Sequence, residues 1–172
     1  MSKKIGMSAL EKIGEYKMEV LNRIIESDKL SKLIAIDKPD VLFNDNLSDS
    51  EKYSLLYERV YPYRFVPEAT SQASTYLTLG ISGFTHLREG IKTYDDYQRG
   101  LIYFYIFTHN SLMKTDSGVR QDLILSEIDK LFEGTRGLGM GELKLNGLNE
   151  LWMHNNKFGG YAVNYAVTDL KW

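Results

Sequence analysis

The segment Leu101-Ile102-Tyr103-Phe104-Tyr105-Ile106-Phe107-Thr108 constrains the fold more than any other part of the chain. It is rich in aromatic and β-branched residues and has no polar face. Successive side chains of a strand point to opposite sides, so a strand apolar at every position has to be covered on both. The segment reads as a strand at the centre of a sheet, or as one whose outer face a neighbouring subunit buries. Tyr161 to Thr168 differs: Tyr161, Val163, Tyr165 and Val167 share one face, and small or polar residues take the other. That is the alternation of a half-buried strand. Thr75 to Phe84 reads as a third strand, and Glu142-Leu143-Lys144-Leu145 as a short fourth.

Helical patterns surround these strands. Leu10, Ile13, Val20, Leu21, Ile24 and Ile25 form one stripe over residues 8 to 27, with Ser8 and Glu11 in capping-box form. A shorter helix follows from Asp28 to Ile36, ahead of Pro39, and Leu42 to Leu47 reads as a turn. Ser48 and Glu51 make a second capping box, opening a helix to about Val60. Pro62 and Pro67 frame an extended connector, because a residue before proline avoids the α region. Val119, Leu123, Ile124, Ile128, Leu131 and Phe132 mark an amphipathic helix from Ser117, stopped by the glycines from Gly134 to Gly141. The expectation is an α+β fold: N-terminal helices, then a mostly antiparallel sheet of about four strands with one amphipathic helix packed on it. All 172 residues are read as a single domain, helical over 8–60, a connector over 61–70, and sheet plus helix over 71–170.

Composition removes several classes of function. A formal charge of −2 argues against a broad nucleic-acid surface, which needs cations to displace phosphate counterions. With no cysteine, thiol catalysis, disulfides and cysteine-ligated zinc are excluded. No run approaches the roughly 20 apolar residues of a membrane helix, and the first residues lack the apolar core of a signal peptide. The reading is a protein kept in solution, away from membranes. Twelve tyrosines supply apolar bodies with polar tips, which suit half-buried sheet faces and subunit contacts.

Candidate chemistry is sparse. The glycine run at Gly134–Gly141 follows a helix and precedes a strand, the reverse of a phosphate-binding loop, and reads as a helix stop. His86, His109 and His154 have no partner histidine at i+3 or i+4. Asp95 and Asp96 are sequential and point apart in extended chain, so they read as part of a solvated loop over His86–Arg99. Asp45, Asn46 and Asp49 lack the spacing of a calcium loop. No cofactor, metal or catalytic residue is expected.

The order of features resembles a known group. A helix with Leu-x-x-Ile periodicity leads to Leu30-Ser31-Lys32-Leu33-Ile34, and Tyr61-Pro62-Tyr63-Arg64-Phe65-Val66-Pro67-Glu68 precedes the strand at Thr75-Tyr76-Leu77. Then come the Leu101–His109 strand, Arg120-Gln121-Asp122-Leu123 with Glu127-Ile128, Gly137-Leu138-Gly139-Met140-Gly141-Glu142-Leu143, and Gly160-Tyr161-Ala162-Val163-Asn164-Tyr165. Over residues 9 to 170 this layout resembles the neck and tail-completion proteins of tailed bacteriophages, the tail terminator or head–tail joining group.

The resemblance implies a non-enzymatic virion protein, assembled in the host cytoplasm. It would form a ring of about six copies at the head-proximal end of the tail, ending tail-tube growth. Its partners would be the tail-tube protein and the head–tail connector or stopper, with DNA passing through the lumen as the only nucleic acid. On that reading Tyr103, Tyr105 and Phe107 serve an interface or internal packing, and Arg88, Lys92, Asp95 and Asp96 form a lumen or docking loop. Two other classes stay open. One is a binding module that takes a peptide or small ligand on its tyrosine-rich sheet; the other is a metal-dependent enzyme built on dispersed carboxylates or the three histidines.

Overall fold

The structure, a computed structural model, describes residues 9–86 and 97–170. The first helix, α1 (Ile13–Glu26), buries Val20, Leu21, Ile24 and Ile25 of the expected stripe together with Tyr16, whereas Leu10 precedes the helix and is exposed and Ile13 is half-buried. It starts at Ile13 on Lys12 with no side-chain cap, and Ser8 of the expected capping box lies outside the described residues. Ser27 breaks the helix and caps the next, accepting from the Leu30 amide at 3.3 Å. Helix α2 (Asp28–Ala35) then buries Leu30, Leu33 and Ile34 completely, each contributing about 1.5–3 kcal/mol of hydrophobic stabilisation. Helix α3 (Asp49–Ser54) opens on the expected reciprocal box between Ser48 and Glu51.

That helix is shorter than its sequence suggests. The amides of Glu58, Arg59 and Val60 all donate to the Leu55 carbonyl, and Tyr57 sits at φ 64. The tight turn frees Val60 and Tyr61 to form strand β1 (Val60–Tyr61), paired in parallel with Leu77 and Thr78. Tertiary pairing outweighs helix propensity there, since nothing local breaks the helix.

The main sheet has five strands in the order β1-β2-β3-β7-β6, with β2 (Thr75–His86), β3 (Tyr97–His109), β6 (Lys144–Met153) and β7 (Phe158–Leu170). Every pair but β1–β2 is antiparallel. The expectation of four strands is thus one short, and a separate ribbon of β4 (Lys114–Thr115) and β5 (Gly118–Val119) precedes helix α4 (Arg120–Phe132). The doubly apolar β3 is the middle strand, flanked by β2 and β7 over most of its length. It begins at Tyr97, so Tyr97, Gln98 and Arg99 belong to a strand and not to the expected loop.

The two faces of the sheet are covered differently. Ile102, Phe104 and Ile106 of β3, Leu77 and Leu79 of β2, and Val163, Tyr165 and Val167 of β7 meet the helices in one core. On the opposite face Tyr76, Phe107 and Phe158 form a smaller cluster, closed by Tyr61, Phe65 and Tyr105 with Leu151 and Met153. The connector supplies that cover, as Phe65 lies between Tyr61 (ring centroids 4.1 Å) and Tyr76 (5.4 Å). The β6–β7 hairpin pins it from below. His154, Asn155 and Asn156 all take positive φ, and His154 Nε2 meets the Pro67 carbonyl at 2.8 Å.

Arg120 ties the helical layer together. Its guanidinium is buried and donates to the carbonyls of Leu33, Ile36, Lys38 and Leu112 at 2.8–2.9 Å. It therefore closes the C-terminus of α2 from a residue far away in sequence, satisfying carbonyls a helix end leaves open. At the far end of β7 the buried Asp169 accepts from Tyr16 and from Lys12 (3.2 Å), fixing α1 on the sheet.

Candidate binding cleft at the open edge of the sheet

Strand β1 covers only Leu77 and Thr78 of β2, after which Pro62 turns the chain away. From Leu79 onward the outer edge of β2 has no strand beside it among the described residues. The Leu77 amide donates outward to the Arg59 carbonyl at 2.8 Å, and backbone groups alternate sides along a strand. The N–H and C=O of Ile81 therefore point to the open edge, because the β2–β3 register stays regular through Ser82.

A cleft of about 490 Å³ wraps this edge. Leu79 and Ile81 face the helical side, where Lys17 of α1 forms the wall. Gly80 and Ser82 face the other side, where Tyr63, Arg64, Tyr103 and Tyr105 stand. The rings of Tyr103 and Tyr105 stack at 5.8 Å and 9°, and the Arg64 guanidinium lies 5.4 Å from the Tyr105 centroid. Gly80 makes room for this stack: a Cβ there would stand 3.1 Å from Tyr105 Cε2. Tyr63 continues the wall outward to Tyr61 (5.6 Å) and Tyr57 (6.3 Å). Tyr57 is 61% exposed in a left-handed conformation that bulky residues avoid. Burial, then the neighbouring tyrosines and Glu58, push the Tyr61 hydroxyl above its ordinary pKa. Neither Lys17 nor Arg64 forms an ion pair among the described residues.

A second hollow of about 260 Å³ lies between α4 and β6, lined by Leu125, Leu145, Leu148, Val163 and Tyr165 with Asp122 and Asp129. Tyr161 donates to Asp122 at 2.7 Å and Tyr165 to Asp129 at 2.8 Å. The Asp122 hydrogen bond and burial raise the Tyr161 pKa to about 12. Burial, then the Asp129 hydrogen bond, raises that of Tyr165 further. Strand β6 leaves Leu145, Leu148 and Trp152 exposed at this side.

Of the residues singled out from sequence, Tyr103 and Tyr105 meet in the cleft, while Phe107 is buried in the aromatic cluster with Tyr76 and Phe158. Arg88, Lys92, Asp95 and Asp96 lie outside the described residues. The histidines serve separate places: His109 contacts Ser111 and stacks edge-on against Phe158, His154 holds the connector, and His86 ends β2. Among the described residues no group of three His, Cys, Asp or Glu could hold a metal ion, and no helix is long and apolar enough to cross a membrane. Sequence reading missed Lys17, which looks like any polar-face lysine of an amphipathic helix. Arg64 entered only as part of the proline-framed segment, where its place between Tyr63 and Phe65 was the available signal.

No curated protein matches the chain. The model of the YomW family matches residues 27–167, from the cap of α2 to nearly the end of β7. The match takes in Tyr63, Arg64, Tyr103 and Tyr105 and leaves out α1 with Lys17. Covering well over half of its length, it shows that the chain belongs to the YomW family.

Proposed function

We propose that the chain is a binding module that takes an extended polypeptide segment as an added strand on the outer edge of β2. One observation carries this reading: the cleft lined by tyrosines follows the stretch of β2 that β1 leaves unpaired. Strand addition draws affinity from main-chain hydrogen bonds and specificity from the side-chain pockets on either side. An open edge is otherwise a liability that proteins shield with charge, proline or a bulge. Tyrosine offers large contact area at low conformational cost, which suits a recognition wall.

The test is a random peptide library panned on the immobilised protein, with enriched peptides titrated against variants. Gly80→Val, which pushes into the Tyr105 ring, and Tyr105→Ala are expected to weaken them ten-fold or more. Enriched peptides that bind both variants as well as the wild type would overturn the reading.

A second reading is the ring subunit at the head-proximal end of a phage tail, ending tube growth and contacting the connector. What favours it is that, among the described residues, the sheet ends in open strands on both sides, β2 beyond Thr78 and β6 along its outer edge. Head-to-tail rings need two different complementary surfaces on each copy. Light scattering over a range of concentrations, with negative-stain images, tests it. Rings of about six copies with a central hole are expected; a strict monomer that leaves purified tail tubes uncapped would contradict it.

A further inference from the structure

Building on the strand-addition reading, we infer that the segment bound at β2 is acidic, with two carboxylates at adjacent positions, one for each side of the edge. Among the described residues the cleft has two cations, and they stand on opposite sides of the strand it borders. Lys17 belongs to the helical side with Leu79 and Ile81, and Arg64 to the tyrosine side with Gly80, Tyr103 and Tyr105. Neither is neutralised by a carboxylate among the described residues, unlike Arg59 with Asp37 or Lys52 with Asp28. A strand added to the edge alternates its side chains between those same two sides. A residue facing Lys17 therefore has a neighbour facing Arg64. The guanidinium lies 5.4 Å from the Tyr105 ring centroid, and its planar fork of donors suits a carboxylate. Isolated acids meet only one of the two cations, and a basic segment meets both as repulsion. An adjacent acidic pair is the pattern that uses both.

The probe is a capped peptide of alternating threonine and valine with two adjacent glutamates at its centre, titrated by fluorescence anisotropy. Its relatives carry glutamine at the first, the second or both positions. Each glutamate is expected to improve affinity roughly three-fold, and the pair about ten-fold, as partly exposed ion pairs allow. Raising the salt should reduce the advantage. Lys17→Gln should erase the preference at one position only and Arg64→Gln at the other; Arg64 is exposed, Lys17 is half-buried, and neither belongs to the core.

Equal affinity of all four peptides, with binding still lost in Gly80→Val, would overturn the acidic pair while strand addition stands. Binding by none of them would overturn both. Self-association that the diglutamate peptide does not displace would show that a second copy fills the edge, and would also overturn the inference.

Discussion

Replacing Arg120 by methionine should cost the protein about 3–4 kcal/mol of stability. Methionine keeps much of the aliphatic length, so the loss falls on the four carbonyls the guanidinium serves. The Leu33 carbonyl is fully enclosed, and leaving it without a donor costs roughly 2 kcal/mol. Those of Ile36, Lys38 and Leu112 are partly reached by water and should cost about 1 kcal/mol each. Against these stands the relief of no longer burying a cation, a desolvation strong enough to lower the Arg120 pKa. The net stays unfavourable because no carboxylate is stranded: the partners are neutral carbonyls at a helix end. Urea unfolding reads the effect as a lower midpoint with an unchanged slope. Arg120→Lys should recover only part of it, since one ammonium cannot span carbonyls on both α2 and the turn after β3. A methionine variant within 1 kcal/mol of the wild type would refute the keystone role.

Further consequences concern the sheet. Gly160 faces the Ile106 carbonyl so closely that any Cβ would press into the backbone of β3, and Gly160→Ala should cost on the order of 3 kcal/mol in urea unfolding. The hydroxyls of the cross-strand pair Thr75 and Thr108 are buried without a hydrogen-bond partner, so valine at either should raise stability by about 1 kcal/mol; a lower melting temperature would contradict this. Tyr161 and Tyr165 hold their protons more tightly folded than unfolded. The stability they contribute is complete below pH 10, the ordinary tyrosine value, and is lost as pH rises toward the folded-state values, about 12 for Tyr161. Urea midpoints should fall above pH 10, and Tyr161→Phe should reduce that slope.

Much of the architecture was written in side-chain periodicity. β3 read as central because both of its faces are apolar, although the Tyr103–Tyr105 face stays half-exposed in the cleft, and Tyr161, Val163, Tyr165 and Val167 announced the core face of β7. The Ser48–Glu51 box marked the start of α3. What escaped depends on partners distant in sequence. The turn at Tyr57 and the pairing of Val60 with Leu77 follow from the sheet, with no local signal to end the helix. Most of β6 was missed because an edge strand carrying Asn146, Asn149 and Glu150 among apolar residues shows no clean alternation, and a register shift after Leu145 breaks it further. The cleft was half legible: Tyr103 and Tyr105 drew attention as a pair on one face, whereas Lys17 joins them only through the packing of α1.

The strand-addition account is tested most directly at one amide. The Ile81 N–H points to the open edge with no strand beside it among the described residues, so in the free protein it should exchange with solvent far faster than those of β3. Hydrogen exchange followed by NMR, with and without a peptide selected on the protein, should show Ile81 becoming protected on binding while β6 amides stay as they were. Binding that leaves Ile81 exchange unchanged would contradict the account.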